Sequence, residues 1–222
     1  MYLVTGTAGF IGRSIAAALL ARGETVRGID SFITGKRSNL AGLEAMEFIE
    51  GDLADPATCA EACKGVEYVF HEAALASVPR SVADPAGTNL NCVTATLNLL
   101  VAAKEAGVRR VVYAGSSSAY GDTPTLPKRE EMLPNPISPY AVAKLAGEHY
   151  MRAFNRVYGM ETVVRNPDGR NPLLPNEATI PDTTVTLERT FYNNDRLNED
   201  YLKTNLTRLR EAYQTWRPAP AP

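Results

Sequence analysis

A glycine-rich turn near the start of the chain constrains the fold more than any other feature of the sequence. The turn, Gly6-Thr7-Ala8-Gly9-Phe10-Ile11-Gly12, joins a β-rich run at residues 2–5 to a helical stretch at residues 14–22. In such a turn the first glycine permits a tight bend, the second lets the backbone approach a phosphate, and the third lets the helix pack on the strand. Backbone N–H groups and the helix dipole then favour the same ligand, so the turn predicts a pyrophosphate site.

Short β-rich runs alternate with longer helical stretches through the first 165 residues. Strands are predicted at residues 2–5, 25–29, 46–50, 67–71, 109–114 and 161–165, and helices at residues 14–22, 57–63, 88–106 and 140–158. This alternation is typical of βαβ units, whose right-handed crossovers place helices on both faces of a parallel sheet. The sequence therefore predicts a doubly wound α/β domain, the Rossmann fold, over residues 1–165.

The character of the sequence changes after Arg165. Residues 166–181 place Pro, Asn and Asp between short apolar pieces and contain no βαβ unit. Residues 195–216 carry Leu, Tyr and Trp side chains at helical spacing, which predicts one amphipathic helix. Its apolar stripe either packs on the Rossmann domain or binds a partner. We therefore expect residues 166–222 to form a short, atypical C-terminal extension.

Composition argues against several classes of function. With 23 basic and 25 acidic residues, the net charge of −2 gives no broad field for nucleic acid or an anionic membrane. Three cysteines, Cys59, Cys63 and Cys92, and two histidines, His71 and His149, lack the spacing of a zinc site, so we expect no metal. No apolar run approaches the ~20 residues of a membrane span, and no basic leader precedes the first strand. We expect a cytoplasmic protein that binds neither nucleic acid nor membrane.

A carboxylate is placed where the second predicted strand ends. Asp30 follows the glycine turn by about 20 residues, where it can accept hydrogen bonds from an adenosine ribose and repel a 2′-phosphate. It therefore favours NAD over NADP, although Lys36 and Arg37 nearby could serve a phosphate. Asp52, which precedes Leu53 after the third strand, could contact the adenine edge or cap the next helix.

Tyr140 and Lys144 are four residues apart on a predicted helix and therefore share one face. A free phenol titrates near ~10, and both a neighbouring cation and a positively charged nicotinamide favour the phenolate, a useful general base. The same spacing also occurs on ordinary surface helices. Ser116, Ser117 and Ser118 follow the fifth strand at the carboxyl edge of the sheet, where a hydroxyl can relay a proton. We favour Ser116 and Ser117, since turn hydrogen bonding explains Ser118 equally well.

Five motifs within residues 1–165 together resemble the extended short-chain dehydrogenase/reductases. They are Thr5–Gly12, Asp30, His71-Glu72-Ala73-Ala74, Ser116–Gly121 and Tyr140-x-x-x-Lys144. Within that superfamily, residues 76–81 and 120–124 resemble bacterial UDP-glucose and UDP-N-acetylglucosamine 4-epimerases. Sugar-nucleotide dehydratases and decarboxylases carry acidic residues beside their serine or threonine, whereas this chain has Ser117 and Ser118. The resemblance therefore disfavours dehydration.

The resemblance implies roles for individual residues. Tyr140 would remove the proton of the sugar 4-hydroxyl, Lys144 would lower the pKa of Tyr140 and bind the ribose, and Ser116, with Ser117, would relay the proton. Hydride would pass from C4 to NAD and return to the other face of the sugar. The implied NAD-binding residues are Gly6, Ala8, Gly9, Phe10, Ile11, Gly12, Asp30, Asp52, Leu53, Ala73, Ala74, Ala76, Asn89, Tyr140 and Lys144, and the implied substrate-binding residues are Ser77, Arg80, Ser116 and Tyr140. The alanines are equally good core residues.

As a whole, the resemblance implies an NAD-dependent nucleotide-sugar 4-epimerase that acts on a UDP-sugar and forms a homodimer through residues 88–106 and 140–158. Family members normally continue into a sugar-nucleotide-binding domain, which residues 166–222 would replace or truncate. Two alternatives therefore stay open. One is an NAD-binding module without catalysis, and the other is an interaction protein whose helix at residues 195–216 docks on a partner.

Overall fold

A computed structural model of the chain describes residues 1–122 and 132–165, along which strands and helices alternate. The strands are β1 (Tyr2–Thr5), β2 (Val26–Asp30), β3 (Glu47–Glu50), β4 (Tyr68–His71), β5 (Arg110–Ala114) and β6 (Glu161–Arg165). The helices are α1 (Phe10–Leu20), α2 (Pro56–Cys63), α3 (Val78–Ala83), α4 (Pro85–Asn89), α5 (Ala95–Glu105) and α6 (Pro139–Tyr158). A π-helical turn, Leu90–Thr94, joins α4 to α5, and 3₁₀ turns cover Arg37–Leu40 and Ser117–Tyr120.

The six strands form one parallel sheet in the order β3-β2-β1-β4-β5-β6, which confirms the predicted doubly wound Rossmann fold. The direction of winding reverses between β1 and β4, and the last residues of these strands, Thr5 and His71, lie opposite each other. In such sheets ligands bind in the crevice at the carboxyl ends of the strands around this reversal. The fold therefore places the candidate site at the ends of β1, β4 and β5.

Alternate residues of β1 pack into two separate apolar cores, one on each face of the sheet. Leu3 belongs to the core beneath α2, α5 and α6, whereas Tyr2 and Val4 belong to the core beneath α1. Successive side chains of a strand point to opposite faces, and a central parallel strand is covered on both. This explains why β1 is apolar without alternation and why all four of its residues are buried.

Two helices begin where the sequence analysis did not place them. α1 begins at Phe10, inside the glycine turn, and not at Ser14. α3 was not predicted, although Ser77 accepts a hydrogen bond from the Arg80 N–H at 3.2 Å and Pro79 lies in its first turn. A capping serine followed by an early proline is a recognised helix-start signal, so the sequence carried the information.

Other predictions cannot be followed in the described residues. The amphipathic helix expected at residues 195–216 lies outside them, so the domain boundary at residue 165 stays a prediction. Across residues 1–122 and 132–165, no helix is long and apolar enough to cross a membrane. The same ranges contain no group of His, Cys, Asp and Glu side chains that could hold a metal ion.

Candidate functional site

The first turn of α1 carries backbone N–H groups that no side chain caps. Gly9 occupies the cap position with extended backbone angles and makes no side-chain hydrogen bond to the helix. By contrast, Asp55 caps α2 and Ser138 caps α6 through side-chain oxygens. Because the first N–H groups of a helix lack intrahelical partners, an uncapped start at the carboxyl edge of a sheet is suited to an anion.

Close backbone approaches explain the glycines of this turn. Gly6 adopts a left-handed φ of 68°, and a Cβ there would lie 2.9 Å from the backbone nitrogen of Ala73. A Cβ on Gly12 would lie 2.2 Å from the carbonyl oxygen of Gly6, while one on Gly9 would lie 3.1 Å from the same atom. The first and third glycines are therefore required by packing, and the second leaves the entrance of the helix bare.

Asp30 holds the glycine turn against the loop that follows β2. Its carboxylate accepts hydrogen bonds from the Ala8 N–H at 2.9 Å and from the Phe32 N–H at 2.8 Å. The carbonyl of Ala8 in turn accepts from the Lys36 N–H at 3.1 Å and from Asn39 Nδ2 at 2.7 Å. Asp30 thus orders the turn as well as facing the cleft, a role that its spacing alone did not predict.

An open cleft follows the carboxyl ends of β1, β2 and β4. It brings together seven of the fifteen residues predicted to bind the cofactor: Gly6, Gly9, Asp30, Asp52, Leu53, Ala73 and Ala74. The other eight do not line this cleft: Ala8, Phe10, Ile11, Gly12, Ala76, Asn89, Tyr140 and Lys144. Of these, Ala8 is fully buried, and Asn89 instead lines a second cavity of about 380 Å³ between α4 and α6.

The cleft also contains residues that the sequence analysis missed. Most of them come from three places: the loop after Asp30, the segment after His71, and the helix start behind them. They are Ser31, Ile33, Thr34, Gly35, Glu72, Leu75, Asn91 and Ala95, together with Ile29 in β2 and Gly51 after β3. The residues after Asp30 and after His71 could have been predicted from the sequence, because they adjoin Asp30 and the His71–Ala74 motif. Asn91, in the π-helical turn, and Ala95, at the start of α5, reach the cleft only through tertiary packing, which no local sequence pattern predicts.

Asp52 does not cap the helix that follows it. Its Oδ1 accepts a hydrogen bond from the Ala54 N–H at 2.9 Å, whereas Asp55 caps α2 by accepting from the Ala57 and Thr58 N–H groups. The capping alternative for Asp52 is therefore wrong, because the cap lies three residues further along. Asp52 remains at the edge of the cleft.

Arg37 already has partners in the loop after β2 and on β3. Its guanidinium forms hydrogen bonds to both carboxylate oxygens of Glu50, at 2.6 and 2.7 Å, and lies 4.2 Å from the centre of the Phe32 ring. These contacts direct the guanidinium to Glu50 and Phe32. They weaken the case for Arg37 as a ligand of a 2′-phosphate.

Tyr140 and Lys144 are both buried, one turn apart on α6, and Lys144 lies against Tyr113 of β5. The Lys144 Nζ lies 4.2 Å from the centre of the Tyr113 ring, and the Tyr113 hydroxyl donates to the Lys144 carbonyl at 3.4 Å. The 3₁₀ turn Ser117–Tyr120 also packs against α6. The structure therefore packs the serine turn against α6, the helix that carries the predicted acid–base pair.

Ser116, Ser117 and Ser118 differ in their hydrogen bonds. Ser116 is buried, and its Oγ accepts from the Ser118 N–H at 3.3 Å and lies 2.7 Å from the Ser118 Oγ. Ser118 is thus engaged in the turn, as its alternative interpretation expected. Ser117 is half-buried and begins the 3₁₀ turn.

Of the predicted substrate contacts, Ser77 precedes α3 and Arg80 lies within it. Ser77 caps α3, which gives its hydroxyl a structural partner, while Ala76 and Arg80 are exposed to solvent. The structure leaves Arg80 accessible to a ligand and does not bring it into the cleft.

A buried relay of hydrogen bonds lies beneath the crevice and fixes the protonation of His71. Thr5 Oγ1 accepts from the N–H groups of Glu72 and Ala73, both at 3.1 Å, so its own proton is donated to His71 Nδ1 at 2.9 Å. His71 Nε2 must then carry a proton, which it donates to Thr96 Oγ1 at 2.9 Å. Burial, followed by the charge of Lys144, lowers the pKa of His71 to about 3, consistent with this neutral form.

Glu72 lines the cleft and is affected by the charge of Lys144. Burial raises the pKa of its carboxyl to about 7, and the positive charge of Lys144 partly opposes that rise. Because Glu72 also lines the cleft, the ammonium of Lys144 acts within reach of a ligand there.

The sequence matches the protein family described as the NAD dependent epimerase/dehydratase family over residues 2–169. The chain belongs to this family. The resemblance stated from the motifs is thereby confirmed, and NAD is the cofactor that the family's description carries.

Members of this epimerase/dehydratase family from bacteria are similar in sequence and structure. The UDP-glucose 4-epimerase of Mycolicibacterium smegmatis is 42% identical over 164 residues, which are 72% of this chain and 52% of that protein. A solved Thermus thermophilus UDP-glucose 4-epimerase in complex with NAD is 40% identical with a TM-score of 0.69, covering 73% of this chain and 53% of that one. The chain spans about half the length of these relatives.

A dehydratase of the family matches as well. DesIV of Streptomyces venezuelae, a dTDP-glucose 4,6-dehydratase solved with NAD bound, is 34% identical with a TM-score of 0.70 and covers 74% of this chain and 54% of that one. The comparisons therefore establish an epimerase/dehydratase family member, and the choice between the two reactions depends on the residues of the site.

Proposed function

We propose that the chain performs NAD-dependent 4-epimerisation of a UDP-sugar by transient oxidation at C4. The observation that carries the proposal is the burial of Tyr140 and Lys144 one turn apart on α6, where Lys144 lies against Tyr113 of β5 and the helix packs against the turn after Ser116. A general base, a cation and a hydroxyl relay are the groups that such a reaction requires of the protein. Ser116 follows β5 at the carboxyl edge of the sheet, and the charge of Lys144 acts on Glu72, which lines the cleft.

The residues of the cleft fit a dinucleotide. The bare first turn of α1 and the glycines before it would hold the pyrophosphate through backbone N–H groups, and Asp30 would accept hydrogen bonds from the adenosine ribose. The carboxylate of Asp30 also disfavours a 2′-phosphate, which supports NAD over NADP. Ala73 and Ala74 would line the path from the pyrophosphate towards Lys144, while Asp52 and Leu53 would border the adenine.

NAD, when bound, supplies the one step that side chains cannot, since it takes two electrons and a hydrogen nucleus from the sugar and gives them back. Tyr140 would take the proton of the 4-hydroxyl as phenolate and return it when the sugar is reduced. Lys144 would favour that phenolate through its charge and bind the nicotinamide ribose. Ser116, with Ser117 beside it, would bridge the sugar hydroxyl and the Tyr140 oxygen.

The side chains next to Ser116 favour epimerisation over dehydration. Elimination of a hydroxyl from the neighbouring carbons requires an additional acid and base, and Ser117 and Ser118 are neutral hydroxyls at neutral pH. A chain with this turn can oxidise and reduce C4 but lacks the carboxylates that dehydratases use there. The substrate hydroxyls would be met by Ser77 and Arg80, of which Arg80 is exposed and could pair with an anionic group.

The proposal extends to assembly and location. Apolar side chains are exposed on the helices around residues 88–106 and 140–158, among them Leu90, Val101 and Val142. Such side chains support a homodimer through these helices. Light scattering of the purified chain at two concentrations tests it, because a monomer at both concentrations contradicts the dimer. A cytoplasmic location is consistent with the three free, buried cysteines among the described residues.

Proton NMR of the chain with UDP-galactose and, separately, UDP-N-acetylglucosamine tests the reaction directly. The expected result is a new anomeric signal from the 4-epimer, and no new signal from the Tyr140→Phe variant, whose rate should fall by a factor of about 10³. Tyr158→Phe is the matched control, because it removes a phenol from an exposed position on the same helix. It should retain full activity.

Three outcomes would decide against the proposal in different ways. NAD binding without any epimer would identify a cofactor-binding module. A 4-keto-6-deoxy product would identify a dehydratase. Equal loss of activity in Tyr140→Phe and Tyr158→Phe would show that Tyr140 has no special role.

A further inference from the structure

The ammonium of Lys144 is held by an aromatic ring. Lys144 is 3% exposed, and its Nζ lies 4.2 Å from the centre of the Tyr113 ring, well inside the ~6 Å range of a cation–π contact. The Tyr113 hydroxyl donates to the backbone carbonyl of the same lysine at 3.4 Å. One buried tyrosine on β5 therefore contacts both the helix backbone at Lys144 and the end of its side chain.

The Tyr113 ring is an uncharged partner for Lys144, and it affects the ammonium differently from a carboxylate. A carboxylate beside Lys144 would cancel its charge and occupy its N–H donors, whereas an aromatic face attracts the ammonium and leaves both its charge and its donors available. Tyr113 stays a neutral phenol, because burial raises its pKa well above 10, with smaller contributions from Cys92 and Glu148 in the same direction. The charge of Lys144 also acts on Glu72, at the end of β4, whose pKa burial raises to about 7, so that this carboxyl is only partly charged at neutral pH.

We propose that Tyr113 is a positioning residue, which holds the Lys144 ammonium against its ring face and so keeps the positive charge available to Tyr140 and the cofactor ribose. This inference rests on the roles of Tyr140 and Lys144 in the proposed function. Tyr113 itself touches neither substrate nor cofactor, since it lies beneath α6 with 1% of its surface exposed.

The packing of α6 supports a dedicated contact. A Cβ at Gly147 would lie 2.3 Å from the Tyr113 hydroxyl oxygen, so a glycine is required for the helix to approach this ring. Glycine lowers the stability of a helix interior by about 1 kcal/mol relative to alanine. A helix of 20 residues therefore accepts an unfavourable residue one turn after Lys144, at the point where Tyr113 packs.

The test replaces Tyr113 by phenylalanine and then by mono-, di- and trifluorinated phenylalanines through genetic incorporation. Fluorination withdraws electron density from the ring face while leaving its shape nearly unchanged, so it weakens a cation–π contact stepwise. The readout is the pH at which the Tyr140 phenol ionises, followed by NMR of tyrosine labelled at the ring Cζ and assigned by its absence in Tyr140→Phe. This readout requires no turnover.

Tyr113→Phe should ionise Tyr140 at nearly the same pH as the unaltered chain, because the ring remains. Each added fluorine should raise that pH, by about one unit across the series. The affinity for NAD, measured by calorimetry on the same proteins, should fall in parallel. A purely structural role of Tyr113 predicts no trend, since the fluorinated rings fill the same space.

A second background makes the result specific to Lys144. In Lys144→Met the ammonium is absent, so fluorination at position 113 should no longer move the ionisation of Tyr140. A trend that persists in Lys144→Met, or no trend with Lys144 present, overturns the proposal. If one fluorinated protein fails to fold, the remaining members still define the slope.

The ionisation series and the epimerase assay test the two proposals independently. A stepwise shift without epimer formation supports the positioning role and rejects the proposed reaction. Epimer formation without any shift rejects Tyr113 alone.

Discussion

Two helices of the proposed site, α1 and α6, begin in opposite ways. α1 begins after Gly9, which provides no side-chain cap, as suits a helix start proposed to face a phosphate. α6 begins after Ser138, whose Oγ accepts from the Ala141 N–H at 3.1 Å, with Pro139 in its first turn. In the proposed site α1 would bind the ligand through backbone N–H groups. The start of α6 is capped by a side chain, and α6 would act through its side chains.

This difference assigns the binding of the cofactor's phosphates to α1 and the proposed acid–base catalysis to α6. At α1 the proposed ligand groups are N–H groups, and an added side chain would interfere, as the close contacts at Gly6 and Gly12 indicate. At α6 the proposed functional groups are the phenol of Tyr140 and the ammonium of Lys144, which the helix backbone places one turn apart. Changes at α1 should therefore affect NAD affinity and folding, whereas changes to the side chains of Tyr140 and Lys144 should affect turnover, with Lys144 also contributing to NAD affinity.

The largest effect is expected from adding one methyl group at α1. Gly12→Ala would place a Cβ 2.2 Å from the Gly6 carbonyl oxygen, which forces the glycine turn to move. We expect a loss of about 3 kcal/mol in the free energy of unfolding and a loss of NAD affinity of about 100-fold or more. Urea unfolding and calorimetry measure the two quantities.

Gly23→Ala is the control for this change. Gly23 has a φ of 77°, and a Cβ there would meet no heavy atom within 4 Å, so the variant carries only the strain of a left-handed alanine. It should lose about 1 kcal/mol of stability and keep its affinity for NAD. Normal NAD binding by Gly12→Ala would mean that the turn does not hold the pyrophosphate.

A comparable loss of stability is expected beneath the crevice, where the two halves of the sheet meet. Thr5→Val keeps the shape of the side chain and removes the oxygen that serves the Glu72 and Ala73 N–H groups and His71. Leaving buried polar groups without partners should cost about 3 kcal/mol in urea unfolding. Thr5→Ser, which keeps the hydroxyl, should lose less than half as much, and equal losses in both variants would reject the relay.

The pH dependence of stability should reveal two neighbouring residues that act in opposite directions. His71 has a pKa of about 3 when folded and 6.5 ordinarily, so the unfolded chain binds its proton first and stability falls as pH drops below 6.5. Glu72 has a pKa of about 7 when folded and 4.5 ordinarily, so its contribution is greatest below 4.5 and is lost as pH rises to 7. Between pH 4.5 and 6.5 the two slopes oppose each other.

Glu72→Gln removes one of these slopes. Relative to the unaltered chain, the variant should lose about 1.4 kcal/mol of stability per pH unit as pH falls through this window. Urea unfolding at a series of pH values measures the difference, and Glu105→Gln, at an exposed position, should show a constant one. A constant difference for Glu72→Gln as well would contradict the opposed pair.

The smallest effect is expected from the cap of α6. Ser138→Ala removes the acceptor of the Ala141 N–H and should lower the free energy of unfolding by about 1 kcal/mol, with NAD affinity unchanged. Ser14→Ala on α1 is the matched change, because the Ser14 hydroxyl bonds the Phe10 carbonyl inside the helix and caps nothing. It should be neutral within about 0.5 kcal/mol. A larger loss at Ser14 than at Ser138 would contradict the contrast between the two helices.

Local patterns predicted the parts of the site whose function depends on neighbours in sequence. The glycine turn, Asp30 at the end of β2 and the Tyr140–Lys144 spacing each follow from a strand end or one helical turn. Tyr113 and Asn91 were missed because their roles arise from packing between β5 and α6 and from the position of α5 over the cleft. Asp52 was considered as a cap that Asp55 provides, since two aspartates three residues apart satisfy the same pattern and only the backbone decides between them.

Amide NMR of the chain during titration with ADP and then with NAD tests the division between the two helices most directly. ADP carries the pyrophosphate without the nicotinamide, so it should shift the amide signals of Phe10, Ile11 and Gly12 and leave those around Tyr140 and Lys144 unchanged. NAD should shift both groups. Saturation with NAD that leaves the first turn of α1 unshifted would show that the bare helix start is not the phosphate site, and the account given for this chain would then be wrong.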